Sequence, residues 1–177
     1  MTETVPEPAA GLPPHGLRWG IKTSFIDYVR RMPGGRGTVG EGATPVGSHE
    51  MLFALDAAPP PAEATAGAVR AWAFRGDVRF TGHGGMLFVR VANPWVVLGA
   101  DEAVLSIEDP YQTPDAPRLP LVTMRLRSDP AAEADGLEAW FSTEVRLTPE
   151  GVELFNDVYQ VGEAFEPVAI IAPLPTT

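Results

Sequence analysis

Trp72-Ala73-Phe74-Arg75-Gly76-Asp77-Val78-Arg79-Phe80 decides the fold class. Trp72, Phe74, Val78 and Phe80 fall on one side of an extended chain and Arg75, Asp77 and Arg79 on the other, the period-two pattern of a half-buried strand. The same alternation recurs at Met51, Phe53 and Leu55, and at Leu137, Ala139, Phe141, Thr143, Val145 and Leu147. Met86 to Val91 and Val96 to Leu98 are shorter apolar runs of β type. Glycine (18) and proline (19) together make up about a fifth of the 177 residues, so turns are frequent. The expected fold is mainly β, a β-sandwich or partial barrel of antiparallel strands with two short α-helices.

The first helix is expected over Ser24 to Met32: Ser24 and Asp27 have capping-box spacing, Phe25, Tyr28, Val29 and Met32 share a face, and Pro33-Gly34-Gly35 ends the run. The second follows Thr148-Pro149, an N-cap residue and a proline at the first helical position, and extends to about Asn156. Residues 1–16, rich in proline and alanine, read as a mobile tail, residues 17–172 as a single domain and 173–177 as a C-terminal tail. Ala57 to Ala68 reads as a loop inserted between strands, because consecutive prolines neither continue a helix nor pair within a sheet.

Composition narrows the function. A formal charge of −10 opposes binding to a phosphate backbone, whose affinity comes from Lys and Arg displacing counterions. Without cysteine there is no disulfide, thiolate metal site or thiol nucleophile. No apolar run approaches the ~18 residues needed to cross a bilayer, so membrane insertion is not expected. Residues 1–14 lack the basic and hydrophobic regions of a secretory signal, and the expected location is cytoplasmic. No Walker loop, Gly-x-Ser-x-Gly elbow or His-Glu-x-x-His pair occurs, and the chain is not expected to be an enzyme.

Histidines and tyrosines are the scarce chemistry-bearing residues. His15 falls in the predicted tail and His49 beside Glu50, both read as solvated, whereas His83 sits in Thr81-Gly82-His83-Gly84-Gly85 between two strands, where glycines permit close approach of another group. His83 is thus either the tip of a glycine-rich hairpin or a site residue. Tyr111 reads as the anchor of a proline-bracketed loop. By pattern alone Tyr28 and Tyr159 are core aromatics whose hydroxyls need partners, since an unpaired buried hydroxyl costs on the order of 1–3 kcal/mol.

Three segments add a resemblance. Leu17-Arg18-Trp19-Gly20-Ile21-Lys22-Thr23-Ser24-Phe25-Ile26-Asp27-Tyr28 and Val78-Arg79-Phe80-Thr81-Gly82-His83-Gly84-Gly85-Met86-Leu87 look like the two signature regions of the HtaA-type haem-transport domain family. Tyr159-Gln160-Val161-Gly162-Glu163-Ala164-Phe165-Glu166-Pro167-Val168 is similar to its closing segment. The resemblance implies a β-rich domain that binds ferric haem b and passes it between proteins. On this chain it makes Tyr28 the iron ligand, His83 the partner bonded to that tyrosine, and Tyr159 a further pocket residue. Trp19, Phe25, Met32, Phe80 and Met86 would supply an apolar wall, and arginines including Arg36 and Arg79 are candidates for the propionates. The implied partners are haem and a haem donor or acceptor protein. Family members are typically exported and many are anchored or repeated, which contrasts with the cytoplasmic expectation and leaves open an intracellular carrier or a fragment whose export signal has been removed. The alternatives are a tyrosinate-haem enzyme of peroxidase or catalase type, and a ligand-free β-sandwich interaction module.

Overall fold

The computed structural model describes residues 14–176; the predicted tail therefore lies outside the described residues except for Pro14, His15 and Gly16. The elements run β1 (Gly16–Trp19), α1 (Thr23–Arg31), β2 (Arg36–Gly40), β3 (Ala43–Val46), β4 (Glu50–Leu55), β5 (Arg70–Arg75), β6 (Asp77–Gly82), β7 (Leu87–Ala92), β8 (Trp95–Leu98), β9 (Ala103–Ile107), β10 (Leu119–Ser128), β11 (Leu137–Leu147), α2 (Pro149–Leu154) and β12 (Val168–Pro173). Eight strands, in the order β1-β12-β11-β10-β9-β8-β5-β4, form an antiparallel barrel that closes because β4 pairs back onto β1 through Leu17↔Phe53 and Trp19↔Met51. Closure leaves these strands without free edges. β3 extends the barrel sheet alongside β4. β2, β6 and β7 make a separate three-stranded sheet.

The expectation of a mainly β antiparallel fold with two short helices holds, and of its two variants the barrel is realised. Residues 72–80, read as one strand, are two. β5 ends at Arg75 in the barrel and β6 starts at Asp77 in the second sheet. Gly76 is the pivot: a Cβ there would lie 2.6 Å from both Ala43 Cβ and Phe53 Cδ1, so only glycine admits the crossing. The returning chain bends at the same level, where Asn93 (φ +48°) separates β7 from β8, donates its backbone N–H to Gly76 O (2.8 Å) and accepts from Gly76 N at its side chain (3.1 Å). Two long strands thus leave the barrel together as a hairpin.

The alternation in β11 also departs from expectation. Glu144 (φ +53°) is a bulge, for Thr123 pairs with Arg146 and Arg125 with Thr143. One extra residue inverts the inward face of everything preceding it. Phe141, predicted inside, is 48% exposed, while Glu138 is buried and accepts from Trp72 Nε1 (2.7 Å) and from the Arg70 guanidinium. Val145 and Leu147, beyond the bulge, point into the core with Trp19, Phe53, Phe74, Leu105, Leu121 and Met124.

Both predicted helices are present. α1 begins at Thr23, and its predicted Ser24–Asp27 capping box does not form: the N-cap is Lys22, and the Glu166 carboxylate accepts from Thr23 N (3.1 Å) from across the fold. Thr148 caps α2 as expected, its hydroxyl accepting from Gly151 N at 2.9 Å. Phe25 on α1 meets Phe80 of β6 (5.2 Å between ring centroids) and Phe155 after α2 (5.1 Å), both edge to face, so α1 is wedged between the second sheet and the α2 end of the barrel. Ala57 to Ala68 connects β4 to β5, as expected of an inserted loop.

Candidate functional site

α1 buries Phe25, Ile26 and Val29, and that stripe decides where Tyr28 points. With Ile26 taking the inner position, Tyr28 is 47% exposed and not the core aromatic its helical spacing suggests. The helix ends at once: Met32 N bonds back to Tyr28 O (3.1 Å), Gly34 adopts φ +69°, and Gly35 packs so tightly under the last turn that a Cβ would sit 1.8 Å from Val29 O. α1 and the β6–β7 hairpin are joined there, since a Cβ on Gly82 would strike Met32 Sδ at 2.1 Å.

His83 forms the hairpin tip with Gly84 and Gly85. All three have positive φ, and at His83 (φ +50°) a glycine would adopt the conformation without the penalty, roughly 1 kcal/mol or more, that a side chain carries. What the histidine gains is reach. Its Nε2 lies 3.2 Å from Tyr28 Oη, across a sequence separation of 55 residues. A neutral phenol donates its proton to an unprotonated Nε2; an ionised phenolate accepts from Nε2–H.

Tyr159 is half-buried near the N-terminal end of α1, beside Lys22 and Ser24. Its ring packs edge to face on Phe155 (5.6 Å) and Phe165 (5.8 Å), and the Lys22 ammonium sits over it at 5.1 Å while donating to Ala164 O. Burial pushes its phenol above the ordinary value, opposed by the Ser24 hydroxyl and reinforced by Glu163 and Tyr28. The structure therefore gathers Tyr28, His83 and Tyr159 around α1. Phe25 and Phe80 lie directly beneath, both buried in the core. Trp19 is fully buried and donates its indole N–H to Glu166 O (2.8 Å), so it holds the segment that caps α1. Met86 is 86% exposed.

Of the two arginines considered for the propionates, Arg36 is exposed at the start of β2, paired with Thr81 just before the hairpin tip, while Arg79 is tied up elsewhere, and His49 does not join the group. Arg79 is held by Asp77 (2.9 and 3.0 Å), which also binds Arg90; burial raises the Asp77 carboxyl, but the hydrogen bonds from Arg79 and Arg90 outweigh it and hold it below the usual range. His49 lies on the far flank of α1, bonding Asp27 at 2.6 Å and Ser48 Oγ at 2.8 Å, and keeps the Asp27 carboxyl lowered. Sequence reasoning missed Lys22, Ser24 and Phe165 around Tyr159, and no spacing rule marks them. A cleft of about 840 Å³ lies elsewhere, lined by Arg75, Arg90, Trp95 and Arg118 among others, and shares no residue with the Tyr28 group. No helix among the described residues is long and apolar enough to cross a membrane.

The closed antiparallel barrel, with two of its strands running on into a hairpin that touches a surface helix, defines a β-barrel domain of compound type. The sequence model of the HtaA family (Htaa) matches residues 15–171, and the chain belongs to that family. Its fold is similar to the crystal structure of the N-terminal domain of HtaA from Corynebacterium glutamicum, with a TM-score of 0.71 and 22% identity over 92% of this chain and 100% of that one. The C-terminal domain of the same HtaA gives a TM-score of 0.68 at 22% identity, covering 89% and 94%. The heme binding protein HtaB of Corynebacterium glutamicum gives 0.62 at 19%, covering 88% and 90%. At such identities the likeness is one of fold. No curated protein sequence matches the chain.

Proposed function

We propose that this protein carries ferric haem b as cargo, held by the phenolate of Tyr28, and gives it up to another protein. The observation that carries the reading is the Tyr28 Oη–His83 Nε2 pair, 3.2 Å apart on a surface helix and a strained hairpin tip. A phenolate is a hard anionic donor that suits ferric iron, and an imidazole N–H directed at its oxygen favours the ionised form. Tyr28 is open enough to be approached, and the residue types fit the group. Membership of the HtaA family and the fold likeness to a heme binding protein, HtaB, support the assignment. Tyr159, braced by Phe155 and Phe165, is assigned to the apolar flank of the cargo.

Carriage follows from the chemistry of the pair. A single oxygen ligand, with no cysteine in the chain for thioether attachment, leaves exchange open, and the anionic oxygen bonds ferrous iron less well than ferric. Haem-loaded protein mixed with excess apomyoglobin is expected to lose its haem without unfolding, and faster after dithionite reduction, as followed by stopped-flow absorbance. Retention for days, or slower release on reduction, would point to a fixed cofactor instead. His83→Ala is expected to leave binding intact but about 10–100-fold weaker, the usual cost of losing a group that supports a metal ligand.

A further inference from the structure

The cleft of about 840 Å³ lies where the β6–β7 hairpin leaves the barrel, and strand register builds its walls. Asp56 N donates to Ala73 O (2.9 Å), Ala73 pairs with Trp95 and Trp95 with Ser106, so these four residues run side by side from the end of β4 across β5, β8 and β9. With Phe74 turned into the core, Ala73 and Arg75 face outward on β5. Arg75 pairs with Ala54, two residues before Asp56, and so shares the face of Asp56. Arg118 closes the far side. Its guanidinium lies over the Trp95 ring at 3.9 Å, Nε donates to Ser106 Oγ (3.0 Å), and Nη2 donates to Ser106 O (3.0 Å) and to Asn93 O.

Charges of both signs line this space without meeting. Arg79 and Arg90 are held by Asp77, but among the described residues Arg75 and Arg118 form no ion pair, and neither do Glu41, Asp56 and Asp115. Arg118 bears the cost: burial pushes its guanidinium down to about 10, and the charge of Glu108 opposes this only in part. Neutral oxygens hold its Nε and Nη2, and its Nη1 has no acceptor among the described residues. A desolvated cation of this kind gains most from an anion on its open side. A simple anion also meets the carboxylates, however, and a simple cation meets the guanidiniums, so the partner that satisfies both carries one charge of each sign. The volume falls within the range of about 300–1,000 Å³ usual for small-molecule sites. We infer that this cleft binds a small zwitterion of the amino acid or short-peptide class, its carboxylate taken by Arg75 and Arg118 and its ammonium by Asp56.

Trialanine and its two singly blocked forms, the N-acetyl and the C-amide, test this against the apoprotein by amide NMR. Trialanine is expected to shift the Trp95 indole N–H and the backbone amides of Arg75 and Asp56 saturably, and each blocked form to bind more weakly by about tenfold or more, the scale of one lost charged hydrogen bond. Arg75→Gln alters an exposed side chain that holds no other group, and Asp56→Asn keeps the acceptor for Ala58 N (3.1 Å), so both variants should fold as the unaltered chain does. Arg75→Gln is expected to shrink the penalty for amidation and leave that for acetylation, and Asp56→Asn to do the reverse, a crossing of effects that a purely structural role does not produce. No saturable shift at those resonances, equal binding of free and blocked peptides, or penalties that both variants leave unchanged would overturn the inference. The haem assignment stands apart from each outcome, since the cleft shares no residue with the Tyr28 group.

Discussion

Tyr28→Phe is expected to abolish tight ferric haem binding while leaving the fold intact. The substitution removes one oxygen and keeps the ring, and the only partner the hydroxyl leaves behind is the His83 imidazole, which is exposed to water at the hairpin tip. The loss in affinity should exceed the ~10–100-fold expected at His83, since the iron loses its bond to the protein and not merely the group that tunes it. Hemin titration followed at the Soret band, alongside thermal unfolding, separates the two effects. Affinity and spectra close to those of the unaltered chain would remove Tyr28 from the site.

The second large effect concerns the barrel. Glu138→Ala is expected to destabilise the fold by about 3 kcal/mol, because it strands the Arg70 guanidinium and the Trp72 indole N–H without their shared acceptor in a largely buried setting. That is a large share of the roughly 5–15 kcal/mol that holds a typical domain. Urea unfolding should show a lower midpoint with an unchanged slope. Glu138→Gln keeps an acceptor for Trp72 and should recover part of the loss. An unchanged midpoint in Glu138→Ala would mean that the buried carboxylate costs as much to desolvate as its partners return.

Glu138 also shows where sequence reading stops. The alternation from Leu137 to Leu147 is visible to any period-two count, and so is the strand, but the bulge at Glu144 that turns Glu138 inward and Phe141 outward has no local mark. Nothing in the residues themselves says which of two opposite faces meets the core once one residue is added. β10 and β12, absent from the period-two reading, pair on both of their sides within the barrel, where closure supplies order that local pattern does not. Gly76 was legible as a glycine inside a strand, but the need for it lies in Ala43 and Phe53, which only the folded chain brings near.

The site was legible in a different way. The helix bearing Tyr28 and the glycine-rich turn bearing His83 are both readable from spacing and composition, and the HtaA resemblance tied the two residues together. Spacing alone misplaced Tyr28 in the core, since Phe25, Tyr28, Val29 and Met32 fit one stripe as well as Phe25, Ile26 and Val29 do. The neighbours β2 and β6, with Phe155 after α2, decide between the stripes. The capping box failed for a similar reason: Glu166, 143 residues from Thr23, supplies the acceptor that a local rule assigns to the helix itself. Long-range partners override local signals at both places, and they are the places where α1 is held to the rest of the fold.

The assignment of Tyr28 as the haem ligand is tested most directly by the electronic and paramagnetic resonance spectra of the ferric protein. Apoprotein titrated to a slight excess of hemin should give a saturable Soret change at one hemin per chain and the high-spin ferric resonance of a phenolate-ligated iron, both lost in Tyr28→Phe. A low-spin spectrum with two nitrogen ligands, or no Soret change at all, would contradict it.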